Sequence, residues 1–553
     1  MPLKPFHRTI YKPPRTFSLL IAGLLNSLLF AVAAQAGSVL DVQPFLSRQT
    51  LPTESGPTTF VNLNTRVGNR YLVEKAGVTV TIERPPMARL TEISAAGIRF
   101  ADGYQCDLWG KSWDEIVLQS KQRESYLPLC DGRLLLLGSP AQQNISTVEW
   151  SANFLRDHLG SVGDSVVDYY KNATRNFNYQ QANYRTLSTK SAPQSSGPRT
   201  ADTLAPLAIS FADSHLKVQL KDSKDIQLGG WYSTENYDAV YVSVTTLAAT
   251  SPSADKSKSA MQSSMIYSAA VELDSHRVGW MHGTQYPGVG WSKRYLSSGY
   301  QPAIDQPGPN GYSDLAPLAL PAALPPYWIN QTIATFAGGF KREHGAFRQG
   351  EFSKANSGSH YGFIENGVTL SPLITGLATF FSDTKGNVSM KTWQDEDNAL
   401  LLPTIVYARQ NGVPLIESYN EDKDESVIGS LVNDWGRGNW SGQAANALNS
   451  NAQLIAPRSS ICIAKNNDKR YLIYSYFTNH SPEAMAEVLK AYHCEYAIHL
   501  DMNSPQHAMF SLFRYHPELR RFETECLYDK MQCLPLPRFI TADNRDFFWI
   551  MER

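Results

Sequence analysis

Apolar residues along most of the chain come in short runs bounded by turn residues. Where they alternate with polar residues, they do so with the two-residue period of a strand. Val78, Val80 and Ile82 alternate with Thr79, Thr81 and Glu83, which predicts a half-buried strand, and Leu134–Leu137 is a second short apolar run. From Leu207 the segments LAISFAD, KVQLKD and AVYVSVTTLA read as strands, followed by Met265–Leu273 and Gly279–Met281. Helical signals are rarer. Ser146-Thr147-Val148-Glu149 is a capping box opening a helix through Val148, Ala152, Leu155 and Leu159, and a second helix is predicted around Asp164–Lys171. Residues 185–206 are rich in Ser, Thr and Pro without apolar periodicity, as in a linker. Ser251–Ser264 reads as an exposed polar loop, and Pro302–Pro326 as a proline-rich excursion on the surface.

The densest set of signals lies between Arg458 and Asp501. Ser459–Ala464 and Tyr471–Phe477 are β-branched and aromatic runs separated by Asn466, Asn467 and Asp468, which predicts a hairpin. Ser481-Pro482-Glu483 then supplies an N-cap, a proline at the first helical position and a carboxylate at the positive end of the helix dipole. Met485, Val488, Leu489 and Tyr492 give that helix one apolar face, and Ala497–Leu500 is a last strand ending on Asp501. A hairpin reverses the chain, and a helical crossover makes the third strand parallel to the second. Arg458 and Asp501 should therefore emerge at one sheet edge, within about 15 Å of each other. A guanidinium that grips phosphate or carboxylate is thus brought beside a carboxylate. The alternative is a structural ion pair or a turn-capping aspartate.

Other residues join this pair as candidates. His499 lies two residues before Asp501, on the same strand face, while Ile498 and Leu500 face the other side. It could donate a proton or hydrogen bond to a leaving group, or be a core histidine satisfied by a neighbour. Gly338 and Gly339, after an apolar run, would let the backbone approach a ligand and aim N–H groups at an anion. Arg409, at the end of the strand TIVYARQ, would supply a second guanidinium, and Asn411-Gly412 is a hairpin turn that can also line a site. His344 and His360 sit near glycine in polar sequence, and His344 is the candidate general acid or base of the two. Trp435 and Trp440 flank a flexible turn that would suit a sugar platform or a packed loop.

Several of these segments, taken in order, resemble the phosphodiester glycosidase family, whose uncovering-enzyme-like domain removes N-acetylglucosamine from a phosphodiester on mannose. The blocks are FAGGFKREHG from Phe336, YGFIENGVTLSPL from Tyr361, GLATFFSDTKGNVSMKTW from Gly376, YARQNGVPLIES from Tyr407 and DWGRGNW from Asp434. The arginine-led strand, hairpin, helix and Leu-Asp ending of residues 458–501 complete them, and the likeness covers about residues 260–515. Ala337 stands where the family usually has Asn. Met502-Asn503-Ser504-Pro505 replaces its Gly-rich turn, as in a less studied secreted subset with Leu-Asp-apolar-Asn. The resemblance implies an exported hydrolase cleaving a sugar phosphodiester or a related exopolysaccharide linkage. Asp501, Arg458 and His499 would be catalytic, and Gly338, Gly339, His344, Arg409, Asn411 and Asn503 would bind substrate. The alternative is a non-catalytic cell-envelope glycan-binding protein on the same scaffold.

Composition sharpens the picture. The expected fold class is α+β, a mixed β-sheet core with few helices over residues 207–553. A small N-terminal α+β or β domain (37–184) and the linker (185–206) would precede it. Lys4, Arg8, Lys12 and Arg15, the apolar stretch Phe17–Ala34 and the small-x-small site Ala34-Gln35-Ala36 make residues 1–36 a signal peptide. The remainder is then secreted or periplasmic, and membrane contact is expected only if that segment stays uncleaved. Six cysteines in an exported chain suggest disulfides. Cys526 with Cys533 closes a short loop, Cys106 with Cys130 a local one, and Cys462 and Cys494 could pair across the sheet or stay as two buried thiols. A formal net charge of −1, with no basic stretch interleaved with aromatics, argues against nucleic acid as a partner. Aromatics at 11% suit carbohydrate stacking and an all-β core equally. No Cys-x-x-Cys or His-x-x-x-His spacing supports zinc, although a divalent cation beside Asp501 is possible.

Overall fold

The computed structural model describes residues 40, 42–122, 124–138, 151, 154, 185–186, 197–201, 207–210, 216–219, 225–250, 259–283, 319, 321–339, 362–432, 455–531, 533 and 536–553. The expected signal peptide, the helix around 164–171, His344, His360 and the Trp435–Trp440 turn lie outside them. Residues 151 and 154, from the helix opened by the capping box, are helical. Residues 36–553 cluster as one compact unit.

The described residues are mostly strand. The first sheet has six strands in the order Ser47–Thr53, Gly56–Asn62, Arg70–Lys75, Val78–Glu83, Leu134–Leu137, Tyr126–Leu129. Its Val78–Glu83 strand was expected to be half-buried. Instead Thr81 and Glu83, on its polar side, are each 1% exposed, because that side is covered by the rest of the chain. The Thr81 hydroxyl accepts from Ala319 N at 3.1 Å, and Glu83 enters an ion-pair network.

Six strands and one helix frame the candidate site. They are β1 (Thr332–Ala337), β2 (Ile405–Gln410), β3 (Ala456–Asn466), β4 (Lys469–His480), α1 (Pro482–Ala491), β5 (Cys494–Met502) and β6 (Phe547–Glu552). The hairpin between β3 and β4 turns at Asn467, whose φ of 53° an asparagine accepts more readily than most residues. The Ser481 hydroxyl caps α1 by accepting from Ala484 N at 3.3 Å, and Pro482 follows as the first helical residue. Met485, Val488, Leu489 and Tyr492 are each 0% exposed and cover one face of the sheet. Burying each aliphatic side chain contributes about 1.5–3 kcal/mol, and Leu489→Ala would cost about 2–5 kcal/mol.

After α1 the chain returns as β5 on the outer side of β3, giving the local order β4-β3-β5 within an eight-stranded sheet. β5 is parallel to β4 but does not neighbour it. The expected mixed sheet is therefore antiparallel at every pairing among the described residues. The other face of this sheet packs on a second sheet, ordered His276–Met281, β6, β1, Phe510–His516, Arg521–Cys526. Phe336 of β1 stands at that interface, with ring centroids 4.8 Å from Phe548 and 5.3 Å from Tyr474. β2 belongs to a third sheet, between Phe363–Glu365 and Ala378–Asp383.

Three disulfides, Cys106–Cys130, Cys462–Cys494 and Cys526–Cys533, join Cα atoms 5.5, 5.8 and 6.0 Å apart. They fit an oxidising compartment. Among the described residues, no helix is long and apolar enough to cross a membrane. The polar run before residue 264 departs from its loop reading: Ser259–Gln262 is helical, and Met261 is buried at 5% exposure.

Candidate functional site

The ends of β1, β2 and β5 and the starts of β3 and β6 converge, and each brings a polar or glycine residue to a buried cluster. Arg458 pairs with Met502 across the β3–β5 ladder, so it and Asp501 emerge at one edge as the strand order requires. Asp501 is 6% exposed. One carboxylate oxygen accepts from Met502 N at 2.7 Å, and the other pairs with Arg545 Nη1 at 2.8 Å. Burial pushes its carboxyl upward, and Arg545 only partly opposes this.

The doubled glycine explains how β1 comes so close. Gly339 has φ 106°, and a Cβ there would fall 2.5 Å from Asp501 Cα. A Cβ on Gly338 would fall 2.5 Å from the Asp546 carboxylate. The amide of Gly338 is not aimed at a ligand, however, because it donates to Asp546 O at 2.9 Å. At this residue the glycine serves close packing of backbone on carboxylate. Arg409 Nε donates to Asp546 at 2.7 Å, its Nη2 donates to Gly338 O at 2.7 Å, and Trp280 Nε1 donates to the same carboxylate at 2.9 Å.

Arg458 is fully buried. Its guanidinium donates to His480 O at 3.0 Å, His499 Nε2 at 3.1 Å and Met502 Sδ at 3.5 Å, all neutral groups. Burial and then Arg458 hold His499 well below the ordinary imidazole value and take His480 down to about 3. A neutral His499 accepting from Arg458 at Nε2 positions that arginine and offers no proton from that nitrogen. Its expected role as donor to a leaving group would fall to the other ring nitrogen. Nor do His499 and Asp501 share partners. Two steps along β3 (Arg458 to Ser460) match three along β5 (Met502 to His499), and the extra residue breaks the alternation between them.

Asn411, 1% exposed, spends its side-chain amide on His499 O and so ties β2 to β5. Asn503 is exposed with φ 78°, and its backbone N–H donates to Pro457 O at 2.7 Å. His344 lies outside the described residues.

Sequence reasoning missed the segment before β6. Arg538 pairs with Asp543 at 2.7 Å, and Asp543 also accepts from Arg545 N at 3.0 Å, while Arg545 and Asp546 hold Asp501 and Arg409. Its available signal was Asp543-Asn544-Arg545-Asp546, a polar quartet directly ahead of the apolar run Phe547–Met551. Among the described residues the cluster pairs three arginines (409, 538 and 545) one to one with three aspartates (546, 543 and 501), and Arg458 lies beside it on its own partners, all seven 6% exposed or less. Guanidiniums already occupy these carboxylates, so the arrangement does not fit a resident divalent cation. Among the described residues, no group of three or more His, Cys, Asp or Glu could hold a metal ion.

No family model matches the chain, and no curated protein matches it. Among solved structures, it is similar to the catalytic domain of zebrafish N-acetylglucosamine-1-phosphodiester alpha-N-acetylglucosaminidase, auto-inhibited by its pro-peptide. That match has 13% identity and a TM-score of 0.29, and covers 68% of this chain and 97% of the other. A hypothetical protein from Synechocystis matches at 9% identity and a TM-score of 0.26, covering 92% of this chain and 100% of the other.

Proposed function

We propose that the chain is an exported glycosidase that cleaves a sugar phosphodiester or a related exopolysaccharide linkage, the activity implied by its ordered sequence blocks. The observation that carries this reading is the arrival of buried arginines and the Asp501 carboxylate at one sheet edge. Guanidiniums bind phosphate oxygens through paired N–H groups. Arg458 and Arg409 would supply the field that stabilises a departing phosphate as the bond from the anomeric carbon to the phosphate oxygen breaks. The electron pair leaves with that oxygen. A water oxygen bonds to the anomeric carbon, and Asp501, made more basic by burial, takes its proton. His499 and Asn411 are positioning residues in this scheme.

One observation favours a second reading, a glycan-binding protein without catalysis: Asp501 is sealed at 6% exposure and tied to Arg545. Incubating the purified mature chain with a panel of sugar phosphodiesters separates the two. Turnover that disappears in Asp501→Asn, with folding retained, supports the enzyme. A folded chain that turns over no member of the panel yet retains glycan on a column supports the binder.

A further inference from the structure

A cleft of about 300 Å³ opens where the N-terminal sheet meets the second and third sheets of the core. This is the lower end of the size range for small-ligand pockets. Trp328, Tyr407 and Trp549 line it, together with Arg66 and Arg277. Trp328 and Tyr407 are half-buried, and both arginines are exposed. The rings are set against one another. The Trp328 and Trp549 indoles stack with centroids 6.1 Å apart at 30°, and Tyr407 meets Trp549 edge-on at 5.4 Å and 88°. Gly279 is the reason Trp549 lies where it does, since any Cβ there would collide with its indole.

The charges around the cleft differ in availability. Asp383 also lines it, but its carboxylate is committed to its own turn, accepting from Lys385 N at 2.8 Å and from Asn387 N and Nδ2, both at 2.9 Å. Glu83 reaches the cleft wall through the Tyr327 hydroxyl at 2.6 Å and shares Arg70 with Glu365. Arg66 and Arg277 are the exposed charged residues of the lining. An aromatic wall packs against the apolar C–H face of a sugar ring, and a guanidinium pair recognises an acid group on that ring.

We propose that this cleft is a second carbohydrate site, which takes a uronate-bearing oligosaccharide independently of the Asp501 cluster. It does not rest on the glycosidase reading. Tyr407 lies two residues before Arg409 on β2, and Trp549 lies three residues after Asp546 on β6. The cleft is thus displaced by roughly 7–10 Å along those strands from the buried cluster. An acidic glycan chain held here would lie beside the candidate catalytic centre.

The test titrates the full mature chain with oligogalacturonate, a neutral cello-oligosaccharide and polyglutamate, reading tryptophan fluorescence and calorimetric heat. Oligogalacturonate is expected to bind and quench fluorescence, and neither control is expected to match it. Trp328→Ala and Arg277→Gln should each weaken binding about tenfold, with thermal melts confirming folding. Arg277 is exposed, so its variant remains informative even if Trp328→Ala folds poorly. Asp501→Asn should leave the affinity unchanged. The proposal is overturned if oligogalacturonate does not bind, if polyglutamate binds equally well, or if Asp501→Asn removes binding that Arg277→Gln leaves intact.

Discussion

Arg70 and Arg458 are both buried guanidiniums, 2% and 0% exposed, with surroundings of different kinds. Arg70 lies between two carboxylates, Glu83 at 2.6 Å and Glu365 at 2.8 Å, where the N-terminal sheet meets the core. Asn366 and Tyr327 add bonds to Glu83, and the His282 backbone N–H donates to Glu365 at 3.0 Å. The acids there outnumber the arginine and are closely bonded. In the strand-end cluster arginines and acids pair one to one, and the bonds of Arg458 described above go to neutral atoms. Glu365 and Asp501 shift in opposite directions. Glu365 is taken down to about 2, because His282 and Arg70 together outweigh its burial, whereas burial wins at Asp501 and raises it. Equal burial therefore does not mean equal purpose. The Glu365 carboxylate, held charged, fastens two sheets together, whereas the proposed function gives the strand-end cluster an anion and a proton to handle.

Breaking the seam should give the largest effect. Glu365→Ala leaves Arg70 and His282 short of a buried partner and is expected to cost about 3–5 kcal/mol in denaturant unfolding. A loss below about 1 kcal/mol would contradict the account of the seam as a fastening. Asp501→Asn should act mainly on chemistry, lowering turnover of a sugar phosphodiester at least about 100-fold while changing stability by roughly 1 kcal/mol or less. The reverse pattern, stability lost and turnover kept, would make both clusters structural.

The pH dependence sharpens the contrast. Glu365 stabilises the fold above its ordinary value of 4.5 and loses that contribution as pH falls through about 2. Asp501 acts the other way. Its contribution is complete below the ordinary 3.8 and is lost as pH rises through its elevated folded value. Unfolding measured across acid pH should show Glu365→Gln removing the low-pH decline and Asp501→Asn removing a loss at higher pH. Identical profiles for both variants would remove the distinction. The smallest effect expected is from inorganic phosphate at millimolar concentration, which should raise the melting temperature by a few degrees at most through binding to the folded state. Arg458→Met should reduce that rise, and Glu83→Gln should not.

Much of the fold was legible because its signals are local. The Ser481-Pro482 cap, the apolar face of α1 and the β3–β4 turn are all written within a few residues of where they act. The meeting of Arg458 and Asp501 followed from strand order alone. The mixed sheet did not, since which side of β3 receives β5 depends on what else packs there. Gly338 and Gly339 stood out as glycines, but a glycine that admits a ligand and one that admits a neighbouring carboxylate look alike in sequence. Here each would collide with Asp546 or Asp501 if it carried a side chain.

The sequence by itself determined the strand-rich pattern, the hairpin–helix–strand unit and the edge at which an arginine and an aspartate meet, while the structure decided how the six cysteines pair. Only the tertiary structure decided which charges neutralise which. Arg545 reaches Asp501 across 44 residues, Arg409 reaches Asp546 across 137, and Arg70 reaches Glu365 across 295. Propensity and periodicity act over one turn or one strand. Desolvation and ion pairing depend on distances in space, which are settled only once the sheets have packed.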